Sequence, residues 1–277
     1  MCQKKTSRCP VRLNIGVSQI QTKFTWTSGQ DPGTEPFDVN ASIPQQVRQS
    51  VDRSLYNLRH GTSPATGQAI TITDAEQPYI DCFLLHNPFP TLVQTLQAWT
   101  TLQRYVPHSI RRLGICNASL PILQVLYLAK SVTVRPSVVQ RRFHADTNYD
   151  TDIRTFCAEN GIEYQCYGVL KSNPALLSSA VVCGLARESG TTPEVALYFL
   201  VMDLGSYVRV LNGTRSVDRM TMDINGLRFL KEWAADNQNE ACLQEYRDAF
   251  AALLTRRTSP EVSTRLNSEV QEDILTV

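Results

Sequence analysis

A lysine and a histidine are the two side chains whose placement first suggests chemistry. Lys23 stands at the end of a short β-rich run, SQIQTKF (Ser18 to Phe24), and His86 closes a second, YIDCFLLH. An ammonium stabilises negative charge developing beside it, and an imidazole can orient or protonate a carbonyl oxygen. Further runs end on polar residues in the same manner: Asn117 after RRLGIC, Gln140 in PSVVQRRF, Tyr167 in IEYQCYGVL, and Asn212-Gly213-Thr214 after YVRVL. Taken singly, each has a plainer role. A lysine after a strand is usually solvated, a histidine ending an apolar strand is usually a hydrogen-bonded structural residue, and asparagine or glutamine serves turns and caps. Recurrence at successive strand ends is what points to a shared cavity, because parallel β/α folds place reacting groups at the carboxyl ends of their strands.

The elements that must position these residues alternate along the chain. Between the strand-like runs lie amphipathic segments. Pro44 to Leu58 carries Val47, Val51, Leu55 and Leu58 on one face, and Thr91 to Tyr105 carries Leu92, Leu96, Trp99 and Leu102. LPILQVLYLAK, DIRTFCAEN, the stretch from Ala175 to Asp203 and a segment starting near Ser216 continue the pattern, and residues from Gly226 to Arg256 read as peripheral helix. Repeated βα units predict the α/β class with a parallel sheet. Six strands are legible where a closed (β/α)8 TIM-type barrel needs about eight, so the expected fold is such a barrel, incomplete at the N-terminus. One domain over residues 1–277 is expected, with its core at about 18–256, an insertion loop at 59–78 (HGTSPATGQAITITDAEQP) and a polar tail at 258–277. Open strand edges in such a fold predict self-association to cover them.

Composition narrows the function classes. In 277 residues, 27 Lys and Arg oppose 26 Asp and Glu for a formal charge of +1, so no overall field recruits nucleic acid or an anionic membrane. No apolar run approaches the about 18 residues of a membrane helix, and the N-terminus lacks the apolar segment of a secretory signal. The 8 cysteines show no C-x-x-C and no metal-ligand spacing. Reduced thiols, no metal and a cytoplasmic protein are the expectations. Nucleotide loops of the G-x-G-x-x-G and P-loop kinds are absent from the sequence, as are the H-E-x-x-H and G-x-S-x-G motifs.

In order, QTKFTWTSGQDP, DCFLLHNPFP, LGICNAS, VVQRRFHAD, YQCYGVL and VLNGTRSVDRM resemble successive strand ends of the aldo-keto reductase superfamily, especially its fungal members. The resemblance implies hydride transfer from NADPH to a small-molecule aldehyde or ketone, using a tyrosine, a lysine, an aspartate and a histidine. Lys23 matches the lysine that lowers the tyrosine's pKa, and His86 the histidine that orients the carbonyl. The tyrosine and aspartate belong to a strand unit upstream of Lys23; relative to the family, the chain reads as N-terminally shortened by its first two strand units. For the cofactor, Asn117 and Gln140 match the pair that binds the nicotinamide carboxamide, and Cys116 stands in place of the usual serine. Tyr167 matches the aromatic residue stacked on the nicotinamide ring. Gly213, Thr214 and Arg219 match the loop at the adenosine phosphate; the Arg219 guanidinium, which can grip a 2′-phosphate, implies NADP rather than NAD, and Gly213 stands where many members carry a lysine that would add to that preference. The resemblance leaves two functions open: a reductase impaired by loss of the Tyr/Asp segment, or a degenerate, non-redox relative with a binding, scaffold, proton-transfer or cyclisation role.

Overall fold

Apolar alternation and helical spacing become strands and helices close to where the sequence places them. The computed structural model describes residues 19–62, 69–71 and 78–255. In chain order the elements are β1 (Gln21–Phe24), α1 (Ile43–Arg59), β2 (His60–Thr62), β3 (Ala69–Thr71), β4 (Ile80–Leu85), α2 (Leu92–Leu102), β5 (Ile110–Cys116), α3 (Leu120–Leu128) and β6 (Val138–Arg142). There follow α4 (Thr151–Glu159), β7 (Glu163–Tyr167), α5 (Pro174–Leu177), α6 (Ala180–Glu188), α7 (Pro193–Met202), β8 (Val208–Leu211), α8 (Val217–Ala234) and α9 (Glu240–Thr255). Six strands form one sheet in the order β1-β4-β5-β6-β7-β8. The pairs β1–β4, β4–β5, β5–β6 and β7–β8 are parallel, as the βα alternation predicts. The α/β class and the six-strand count are therefore observed. The remaining two strands, β2 and β3, pair antiparallel within the stretch read as an insertion loop. The expected polar tail, Cys2, Cys9 and most of that insertion lie outside the described residues.

Contacts divide the chain into two compact units, Met1–Gln140 and Arg141–Val277. In the first, β4 reads IDCFLL, nearly continuous in apolar residues, because a strand central to a parallel sheet is covered on both faces. Val47 and Val51 of α1 and Leu96, Trp99 and Leu102 of α2 are buried against this core. Trp99 is fully buried, and its Nε1 donates to the Val134 carbonyl at 2.9 Å, so the indole's polar handle costs nothing. Thr91 starts α2 with a capping box, its side chain accepting from the Gln94 amide while Gln94 reaches back to the cap.

Gly114 marks a close approach of strands within this sheet. A Cβ built there would fall on the Val138 carbonyl oxygen, 2.5 Å from Leu84 Cδ2 and 2.8 Å from Val138 Cβ. Glycine inside a strand marks such a close approach, and here it lets β4 and β6 close in over β5.

In the second unit, the cap residues Ser179, Thr192 and Ser216 accept from the backbone amides of Val182, Val195 and Arg219 to start α6, α7 and α8. Helix α7 is buried continuously from Val195 to Val201. A polar network stands in this core: Arg141 Nε donates to Asp150 Oδ2 at 2.8 Å, and the Tyr164 hydroxyl donates to the same oxygen at 3.0 Å. The buried carboxylate is thereby paired and hydrogen-bonded. Burial, then the Asp150 charge, pushes the Cys157 thiol up to about 12, so it is no nucleophile at neutral pH.

Among the described residues no helix is long and apolar enough to cross a membrane, and no group of three or more His, Cys, Asp or Glu could hold a metal ion. The described cysteines are all free thiols, with Cys82, Cys116, Cys157 and Cys166 buried.

Candidate active site

Register and the two-residue period of a strand place the candidate groups of the first unit in two tiers on one face. Lys23 pairs with Leu84, Leu84 with Gly114, and Gly114 with Val138. Two residues further along the same strands come Thr25, His86, Cys116 and Gln140, which therefore share that face at the carboxyl ends. The lower tier is apolar apart from Lys23, and Cys82, Leu84, Cys116 and Val138 form a buried cluster beneath the polar rim.

Two backbone hydrogen bonds extend the sheet into this upper tier. The His86 amide donates to the Phe24 carbonyl at 2.9 Å, and the Asn117 amide donates to the Gln140 carbonyl at 2.9 Å. On the opposite face, Phe24 stacks on Phe37 and Phe89 at 5.4 and 6.1 Å between ring centroids, which anchors the end of β1.

Lys23 Nζ donates to Gln140 Oε1. Three strand spacings separate β1 from β6 in the sheet, about 14 Å if it were flat. The contact therefore reports a sheet curled towards this face, the curl that Gly114 permits. Cys116 Sγ donates to the same Gln140 oxygen at 3.7 Å. Gln140 is 2% exposed, so its carbonyl oxygen gathers its donors away from bulk water.

His86 Nδ1 lies 2.9 Å from Thr25 Oγ1. Burial, and next the positive charge of Lys23, holds the imidazole pKa below its ordinary 6.5, so the ring is neutral at pH 7. The threonine hydroxyl serves either tautomer. If it donates to Nδ1, the other ring nitrogen carries hydrogen and can hold a carbonyl oxygen; if it accepts, that nitrogen is a base. Asn117 adopts a left-handed conformation, φ 57°, which asparagine tolerates best among residues with a Cβ. That turn swings its side chain back across β4, where Nδ2 donates to the His86 carbonyl at 3.1 Å and to Asn87 Oδ1 at 2.8 Å.

Lys23, His86, Cys116, Asn117 and Gln140 are thus brought together in the first unit. The other sequence candidates belong to the second. Tyr167 ends β7, half-buried, with the Arg142 guanidinium 5.7 Å from its ring centroid. Past β8, Asn212 Oδ1 accepts from the Thr214 amide at 2.8 Å, and Thr214 Oγ1 accepts from the Ser216 amide at 3.2 Å. Arg219, exposed, sits in the first turn of α8, where Asp218 also stands. A Cβ at Gly213 would meet nothing within 4 Å. Sequence reading missed Thr25 and Asn87. Thr25 was findable, since it lies two residues beyond Lys23 and must share its face.

Comparison with known proteins bears on this arrangement. The Aldo/keto reductase family model matches residues 73–218. An aldo-keto reductase of Mycobacterium leprae is 29% identical over 131 residues, 47% of this chain and 45% of the relative. The NADPH-dependent alpha-keto amide reductase of Saccharomyces cerevisiae is 25% identical over 138 residues, 47% of this chain and 44% of that protein. The chain thus spans less than half the length of these two relatives. Among solved structures, an aldo-keto reductase from a Medee basin deep-sea metagenome library superposes with a TM-score of 0.61 at 15% identity, covering 92% of this chain and 78% of that one. The latter likeness is one of fold.

Proposed function

Because this chain belongs to the aldo/keto reductase family, we propose that it is an oxidoreductase that uses NADPH to reduce the carbonyl group of a small aldehyde or ketone. The observation that carries the reading is the gathering of Lys23, His86 and Gln140 on one face at the carboxyl ends of neighbouring parallel strands, with Asn117 turned back onto the His86 carbonyl. The donor set suits a nicotinamide. Asn117 and Gln140 are carboxamides of the kind that pair with another carboxamide. The second unit, taken by itself, carries an aromatic face at Tyr167 and, at Thr214 and Arg219, groups whose chemistry suits a phosphate. Bound NADPH supplies the hydride. One relative is named for its dependence on NADPH, which supports the choice of cofactor.

The chain's own residues then orient and polarise. A neutral His86, held by Thr25, presents a ring N–H to the carbonyl oxygen, and the Lys23 ammonium stabilises negative charge appearing there. Among the described residues, Lys23 hydrogen-bonds the Gln140 amide and no phenol. That observation favours a second reading, in which the pocket keeps its ligand without redox turnover.

Titration of the full chain with NADPH, followed by tryptophan quenching, and aldehyde-dependent loss of nicotinamide absorbance test both readings. Saturable quenching with turnover is expected, and His86→Gln should lower kcat/KM by about 10²–10³-fold while quenching persists. Quenching without turnover selects the non-redox reading. Absence of both signals would overturn the proposal.

A further inference from the structure

Lys23 differs from the other lysines among the described residues. Lys130, Lys171 and Lys231 are exposed, whereas Lys23 is half-buried at the carboxyl end of a sheet strand. Its hydrogen bond runs to an uncharged amide oxygen, and among the described residues no carboxylate forms an ion pair with it. One strand over, two residues beyond Lys23's register partner Leu84 and on the same face, stands the half-buried imidazole of His86, whose Nδ1 is engaged by Thr25. A half-buried amine with no carboxylate partner among the described residues, one strand from an imidazole on the same face, is the arrangement that nucleophilic lysines use.

We propose that Lys23 is a nucleophilic amine that captures small aldehydes and ketones as a covalent imine, with His86 relaying the protons. His86 takes one proton from the Lys23 ammonium. The freed nitrogen pair then forms a C–N bond to the carbonyl carbon as the C=O π pair moves to oxygen. Transfer of a proton from nitrogen to that oxygen gives a carbinolamine. His86 returns its proton to the hydroxyl, water leaves, and the nitrogen pair closes the C=N bond, so ammonium plus carbonyl yields protonated imine plus water. No oxidant or reductant enters. The threonine hydroxyl suits this relay because it can accept from Nδ1–H while the other ring nitrogen holds the travelling proton. A protonated imine draws electrons from the adjacent carbon, so the reactions it opens are proton removal or carbon–carbon cleavage next to the former carbonyl.

The inference shares the carbonyl substrate class of the reductase reading but not its cofactor, and the two fail separately. Full-length protein free of nicotinamide is incubated at neutral pH with propanal and sodium cyanoborohydride, which traps an imine as a stable secondary amine. Peptide mass mapping follows labelling at each lysine. Lys23 is expected to gain a propyl group about tenfold faster than exposed Lys130 and Lys231 in the same molecules. His86→Gln is expected to slow labelling at Lys23 about tenfold and leave Lys130 and Lys231 unchanged, which a loss of fold would not do. Because the comparison is internal to the unsubstituted chain, it does not depend on any variant folding. Labelling of Lys23 no faster than that of Lys130 and Lys231 overturns the proposal, whatever NADPH does in the separate titration.

Discussion

Thr25 accommodates either neutral tautomer of His86, and the two tautomers separate carbonyl polarisation from base catalysis. The neutral ring has a cost that pH reveals. The folded pKa of His86 lies below 6.5, so the unfolded chain binds the proton more readily and the folded state loses stability as pH falls from about 6.5 through the folded value. The melting temperature should drop over that window, and His86→Gln should remove this part of the drop in a pH series of thermal melts. In the loop after β8, proposed above to hold a phosphate, a Cβ at Gly213 meets nothing within 4 Å, which leaves room for a longer side chain. Gly213→Lys should tighten NADPH relative to NADH by roughly 2–5-fold, the worth of an exposed ion pair, in a fluorescence titration of both. Lys23, His86, Asn117 and Gln140 were legible because each ends or adjoins a strand. The Lys23–Gln140 hydrogen bond was not, since 117 residues and three strand spacings separate its partners. Only the curl of the sheet joins them.

That curl belongs to the elements, and Gly114 permits the close approach of β4 and β6 that goes with it. Gly114→Ala should destabilise the protein by about 1–3 kcal/mol, because the added methyl meets backbone and a buried leucine that cannot swing aside. A denaturant melt measures this; an unchanged midpoint would mean β5 is free to shift. The strands and helices themselves followed from local pattern. β4 and β5 were legible as apolar runs, and α1 from its spacing of Val47 and Val51. The β2–β3 pair was hidden because its sequence is rich in Thr, Gly and Pro, which reads as loop. The left-handed turn at Asn117 is equally local, yet what it achieves, tying the end of β5 to the loop after β4, depends on register and could not be read along the chain.

At the scale of the molecule, the sheet order begins at β1 and ends at β8, and helix α8 exposes Val217, Met222 and Phe229. Strand ends and apolar side chains of this kind favour association. Sedimentation velocity is expected to find oligomers that grow with concentration; a cooperatively melting monomer at every concentration would oppose this. The α/β class emerged from pattern alone, whereas the division of the chain within β6, after Gln140, had no sequence signal, because Gln140 and Arg141 sit in one uninterrupted strand. One hydrogen bond has a reach beyond its own two residues. A guest that claims the Gln140 side-chain carbonyl competes for it with the Lys23 ammonium and the Cys116 thiol, and where it displaces the ammonium, occupancy and amine availability are thermodynamically reciprocal. The factor by which the guest liberates the amine is the factor by which capture of the amine strengthens the guest's hold.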